Sequence, residues 1–228
     1  MSMIAEGPKI AALSCGKPVY LVVLLHGEGD TGGVILDHAL NWAPAMPKAD
    51  FLAAEAPLPG PDGEGRQWFS APEPLASEVG AALDASATAL NSFLDAALAA
   101  RRLPDSHLAL VGFSQGAMVA LCAALQRPNP VAAVACFGGA LPAGTPVEVS
   151  ARPEVLMIHG EDDPLVPFAA MTATKERLKA AGVPVRSLRR PGLGHALDDD
   201  GILATGDFLA AKVLHKPAPM EEHDHDHH

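Results

Sequence analysis

Basic residues are few in this chain: 16 Lys and Arg stand against 27 Asp and Glu, a net charge of −11 with histidine neutral. The closing segment MEEHDHDHH holds four of those acids and no base, which still leaves 16 bases against 23 acids, −7, in the remainder. Without a basic stripe to hold phosphates, nucleic acid is not expected as a partner. Cysteine is scarce too. Cys15, Cys122 and Cys136 are odd in number; Cys122 and Cys136 sit in apolar helix and strand contexts. They read as small core residues of a reducing compartment, with neither a disulfide framework nor metal-type pairing. Long apolar runs are absent: the longest near the start, VYLVVLL at 19–25, is far too short to span a bilayer and no small-residue cleavage signal follows it. Stable membrane insertion is not expected, and a cytoplasmic protein is.

What is present is a globular composition, 49% apolar and 19% charged, over 228 residues. That length suffices for one sizeable core, and a single domain is expected. Short apolar runs read as buried strands at 19–25, 107–113, 131–137, 155–159 and 183–189. Helical periodicity lies between several of them. It runs from about Leu75 to Arg102, with Leu75, Val79, Leu83, Leu90, Phe93, Leu94 and Leu98 on one stripe, then again after Ser114, from about Phe168 to Ala181, and from about Gly201 to Leu214. Strands alternating with helices imply an α/β fold with a mainly parallel central sheet and helices on both faces. The Pro/Gly clusters at 57–65 and 142–146 read as loops rather than linkers. Residues 1–216 are therefore assigned to one catalytic domain and 217–228 to a disordered acidic, His-rich tail. Weak chelation of Zn²⁺ or Ni²⁺ by the tail, or a purification remnant, are the alternatives for HDHDHH.

In a parallel sheet the site lies beyond the carboxyl ends of the strands. One such end carries GFSQG, where Ser114 stands between Gly112 and Gly116 at the change from strand to helix. Glycines at both positions permit a sharp turn, because no Cβ obstructs the strand, the helix or the neighbouring backbone. The serine hydroxyl then stands above the sheet, and the N–H of Gln115 points into the same space from the helix N-terminus. Average usage gives about 0.07 chance matches to this pattern in a chain this long, so the serine is taken as a candidate nucleophile.

A serine nucleophile requires a base, and the base an orienting partner. Six histidines lie outside the tail. His215 ends the last helix, His38 lies in a helical segment and His107 opens the serine strand at its far end. His26 and His159 each precede a glycine and are read as bracing loops. His195, in the glycine-rich loop after the last strand, reaches over the sheet edge and is the preferred base. For the orienting acid, EDDP offers Glu161, Asp162 and Asp163. Pro164 forces the residue before it out of the helical region, which favours Asp163, with Asp162 as the alternative. The order Ser114, Asp163, His195 is that of α/β-hydrolases.

Taken together, LLHGEGDTG, GRQWF, GFSQGAMVAL, IHGEDDPLVP and GLGHALD resemble the phospholipase/carboxylesterase family of small α/β-hydrolases, from about Leu24 to Asp198. That family includes acyl-protein thioesterases, lysophospholipases and bacterial carboxylesterases. The resemblance implies that Ser114, Asp163 and His195 are nucleophile, acid and base, and that the N–H groups of Gln115 and Glu28 form the oxyanion hole. It implies a serine hydrolase of carboxylic esters, a small-molecule ester or acyl substrate, and no cofactor or metal. Long-chain thioester or lysophospholipid cleavage is the alternative, and a non-catalytic binding module on the same scaffold a remote one. Homodimers among relatives make a homodimer an expectation resting on the resemblance alone. Glu28 departs from the pattern, since many members carry an apolar or aromatic residue there. A carboxylate aimed at the site would repel an oxyanion, so its side chain is expected to face solvent or a cation such as Arg66. Trp68 and Phe69 line the pocket by resemblance, or pack a loop on the core. Leu165 and Val166 shape the acyl pocket or, the preferred reading, pack where a helix starts.

Overall fold

The computed structural model describes residues 3–14 and 16–214. Cys15, His215 and the expected tail at 217–228 lie outside the described residues. Nine strands are found among them: β1 (Ala5–Ile10), β2 (Tyr20–Leu25), β3 (Ala49–Glu55), β4 (Leu58–Pro59), β5 (Arg66–Gln67), β6 (Leu108–Phe113), β7 (Ala133–Phe137), β8 (Val155–Gly160) and β9 (Val185–Arg190). The helices are α1 (Gly32–Leu36), α2 (Val79–Arg101), α3 (Gln115–Gln126), α4 (Phe168–Ala180) and α5 (Asp199–Val213). Seven strands form one sheet in the order β1-β3-β2-β6-β7-β8-β9. Every pairing is parallel except that of β1 with β3. Strands β4 and β5 form a small separate hairpin.

The period of two along each strand divides the core into two layers. Leu21, Val23 and Leu25 of β2, with Leu108 and Leu110 of β6, pack against α2, α3 and the buried Met171 and Leu178 of α4. Val22 and Leu24, with Ala109 and Val111, face Ile35 and Leu36 of α1 and Ile202, Phe208 and Leu209 of α5. Both faces of the sheet are thus covered, which is why the central strands read as unbroken apolar runs. Each fully buried leucine there contributes about 2 kcal/mol of transfer free energy.

The sequence reading departs from the structure at its edges. Strand β1 was not expected. Helix α2 begins at Val79 rather than near Leu75, because Pro72 and Pro74 hold the preceding chain in turns; Leu75 still packs partly buried on the core. Arg127 is extended at the C-terminal end of α3. Its buried guanidinium bonds Asp95, Asp105 and Asn91, joining α3 to α2 and to the chain before β6. Among the described residues no helix is long and apolar enough to cross a membrane.

Candidate active site

Strand β6 delivers its chain to the carboxyl edge of the sheet, and α3 begins one residue beyond Ser114. Ser114 has φ 54° and ψ −118°, a left-handed conformation that a non-glycine residue adopts only when its surroundings enforce it. The enforcement is visible. Its N–H donates to the Phe137 carbonyl at 2.7 Å and its own carbonyl accepts from Met118 at 3.1 Å. A Cβ on Gly116 would stand 2.4 Å from the carbonyl oxygens of Leu25 and His26, and one on Gly112 2.6 Å from the backbone of Ala117. The two glycines therefore serve close packing of α3 on β2 and β6, which locks the sharp turn.

The turn brings the Ser114 hydroxyl to 2.8 Å from His195 Nε2, and His195 Nδ1 lies 2.7 Å from Asp163 Oδ2. His195 hangs from the loop between β9 and α5, and its ring tilts against Phe113 with centroids 5.0 Å apart. Asp163 follows β8 at a fully buried position, where its other carboxylate oxygen accepts the N–H groups of Leu165 and Val166, each at 2.9 Å. Three bonds thus fix the carboxylate, and its Oδ2 can only accept Nδ1–H from His195. That assigns the proton to Nδ1 and leaves Nε2 free to accept from the serine. Asp162, the alternative acid, is exposed, and Glu161 pairs with Arg189 at the surface.

The backbone N–H groups of Gln115 and Glu28 have no hydrogen-bond partner among the described residues. The Gln115 side chain has a role that its sequence did not signal. Its amide oxygen accepts from Trp68 N–H at 2.7 Å and its amide nitrogen donates to the Phe69 carbonyl at 2.9 Å, which ties the 68–69 loop to the head of α3. Trp68 is buried with its indole N–H on the His26 carbonyl at 2.8 Å, so it packs the loop onto the core. Phe69 instead lines a cavity of about 70 Å³ beside Ser114, together with Glu28, Glu73, Pro74, Gln115 and Met118. Trp68, Leu165 and Val166 do not line it; Leu165 is exposed, Val166 is buried, and their N–H groups hold Asp163.

Glu28 is exposed at the cavity rim, in accord with the solvent expectation, but the proposed cation is absent. Arg66 spends its guanidinium on the carbonyls of Ala56 and Pro57, at 2.9 and 2.7 Å. Partial burial, with the nearby charge of Asp62, pushes the Glu28 carboxyl above its usual range.

Three further histidines, His26, His107 and His159, brace the scaffold. His159 Nε2 bonds the Val166 carbonyl at 2.7 Å, steadying the turn that carries Asp163. His107 bonds the Val19 carbonyl at 2.9 Å and stacks on Tyr20. His26 Nδ1 donates to the Gly27 carbonyl at 2.7 Å, while its Nε2 accepts from Ala56 N–H at 3.1 Å. Burial lowers the pKa of His26 below 6.5, winning over the Gly27 bond and the charge of Glu55, both of which raise it. Because the folded value is depressed, the unfolded chain takes up the proton first as pH falls through 6.5. The stability owed to neutral His26 is present above that pH and is lost as pH drops toward the folded value. Melting temperature is therefore expected to fall more steeply between pH 7.5 and 5.5 in the wild type than in His26→Gln. Parallel slopes in thermal melts would refute this.

Burial pushes the Cys122 and Cys136 thiols up to about 12, so neither presents a thiolate near neutral pH. Among the described residues no group of three or more His, Cys, Asp or Glu is arranged to hold a metal ion.

A family model described as phospholipase/carboxylesterase matches residues 11–213. The chain is 31% identical over 193 residues to the esterase YpfH of Escherichia coli K12, covering 83% of this chain and 81% of that protein. It is 24% identical over 241 residues to acyl-protein thioesterase 1 of Neurospora crassa, covering 93% and 95%. Among solved structures, that of esterase PE8 superposes with a TM-score of 0.85 at 32% identity, covering 92% of this chain and 99% of that one.

Proposed function

Because the chain belongs to the phospholipase/carboxylesterase family, we propose that it hydrolyses carboxylic esters through an acyl-enzyme on Ser114, as a short-chain carboxylesterase. The carrying observation is the continuous hydrogen-bonded series from Ser114 Oγ through His195 to buried Asp163. His195 Nε2 takes the serine proton as Oγ attacks the carbonyl carbon. The N–H groups of Gln115 and Glu28 donate to the oxygen that becomes negative, where preorganised donors are worth most. His195 then passes the proton to the departing alcohol, and water repeats the sequence on the acyl-enzyme. Asp163 stays ionised and stabilises the imidazolium formed in each half.

The cavity beside Ser114, lined by Pro72, Pro74 and Phe69, is only about 70 Å³, which suits a short acyl group. A relative named an acyl-protein thioesterase keeps long-chain thioesters as the second reading. A fluorophosphonate probe is expected to add one adduct mass on Ser114. p-Nitrophenyl esters from acetate to palmitate should show highest kcat/KM at or below hexanoate. An optimum at palmitate would favour the second reading. Absence of both the adduct and turnover, in folded protein, would refute the hydrolase mechanism.

A further inference from the structure

The cavity that adjoins Ser114 carries formal charge of one sign only. Its lining residues include Glu28 and Glu73, and no lysine or arginine. Both carboxylates are exposed at the rim. Arg66, whose position after the β4–β5 turn would let it neutralise Glu28, is held by two backbone carbonyls instead. Asp62 adds a further negative charge felt by Glu28. Glu73 is flanked by Pro72 and Pro74, whose fixed φ restricts how far its backbone can swing away. The apolar remainder of the lining, Phe69, Met118 and Pro74, supplies contact area but no counter-charge.

We infer that this cavity selects substrates by charge, favouring esters with a cationic group a few bonds from the scissile carbonyl and turning away anionic ones. The inference rests on the esterase reading above, and assigns Glu28 and Glu73 as specificity-determining residues. Partial burial, with the charge of Asp62, has already raised the Glu28 carboxyl, and a cation in the cavity offsets both. A negative head there would add to three carboxylates before the oxyanion forms. For partly screened charges several ångströms apart, the cation-to-anion ratio of kcat/KM is expected on the order of 10.

The test uses three p-nitrophenyl esters of one shape: 4-(trimethylammonio)butyrate, 5,5-dimethylhexanoate and 4-sulfobutyrate. A second series places the same heads on the alcohol: butyrylcholine, 3,3-dimethylbutyl butyrate and 2-sulfoethyl butyrate. In at least one series kcat/KM should run cation over neutral over anion. Raising NaCl to 0.5 M should compress that ratio, since rim charges are screened. In Glu28→Gln/Glu73→Gln the ratio should fall to about 2 or less. It is read within one protein, so a general loss of activity in the double variant leaves it measurable. Hydrolysis of both neutral esters with no charge order in either series overturns the inference alone, as does an order that the double variant retains. Failure to hydrolyse any member of either series counts against the esterase reading.

Discussion

Replacing Ser114 with alanine is expected to lower kcat on p-nitrophenyl butyrate by a factor on the order of 10⁶, with little change in melting temperature. The size follows from how a nucleophile, base and acid act as one unit: once the nucleophile is gone, the other two have no attacking oxygen to activate. What remains is the stabilisation that the Gln115 and Glu28 N–H groups give to a carbonyl attacked by water directly. Stability should hold because the Ser114 side chain makes a single hydrogen bond, to His195, at a partly exposed position. The backbone bonds that fix the turn, from Ser114 N–H to Phe137 and from Met118 N–H to Ser114, do not involve the hydroxyl. Alanine inherits the same strained φ, so the substitution neither relieves nor adds to the turn's cost. Retention of a tenth or more of the wild-type rate by folded Ser114→Ala would refute the acyl-enzyme mechanism.

The centre of the molecule was legible in the sequence because burial there is nearly complete. Strand β6 and helix α3 differ only in the spacing of their apolar residues, and that spacing changes at Ser114. Pro164 favours Asp163 over Asp162 as the candidate acid, and the structure buries the one and exposes the other. The periphery was not legible. Strand β1 reads AEGPKI, mostly exposed and with its register against β3 shifted between Glu6 and Lys9 around Gly7-Pro8, so no alternation marks it. Strand β3, ADFLAAE, is rich in alanine, whose helix propensity hides a buried strand. The Gln115 clamp, the Arg127 cluster and the isolation of Glu28 depend on partners 36 or more residues distant at their longest reach, and no local pattern encodes such pairing.

Asp163→Asn is expected to reduce kcat by about 10⁴ while leaving the fold intact, and the reason lies in which atoms hold the side chain. One carboxylate oxygen accepts two backbone N–H groups, from Leu165 and Val166. In the variant only the amide oxygen can accept, so those two donors orient the amide with its oxygen toward them and its NH₂ toward His195. A group that accepted from Nδ1 is thereby replaced by one that donates to it. The imidazole must then carry its proton on Nε2, the atom that faces Ser114 at 2.8 Å, and it can no longer take the serine proton. The ring keeps its place while its basicity points the wrong way, and the imidazolium formed during attack loses its counter-charge. Because the two backbone bonds survive, melting temperature should stay within a few degrees of wild type. Fluorophosphonate labelling of Ser114 should slow in parallel with turnover. Proximity to His159 Nε2, 3.5 Å from Oδ2, does not rescue the arrangement, since that nitrogen is already engaged with the Val166 carbonyl. A tenfold or smaller loss in kcat would mean that Asp163 holds the loop rather than the tautomer, and the acid would have to be sought elsewhere.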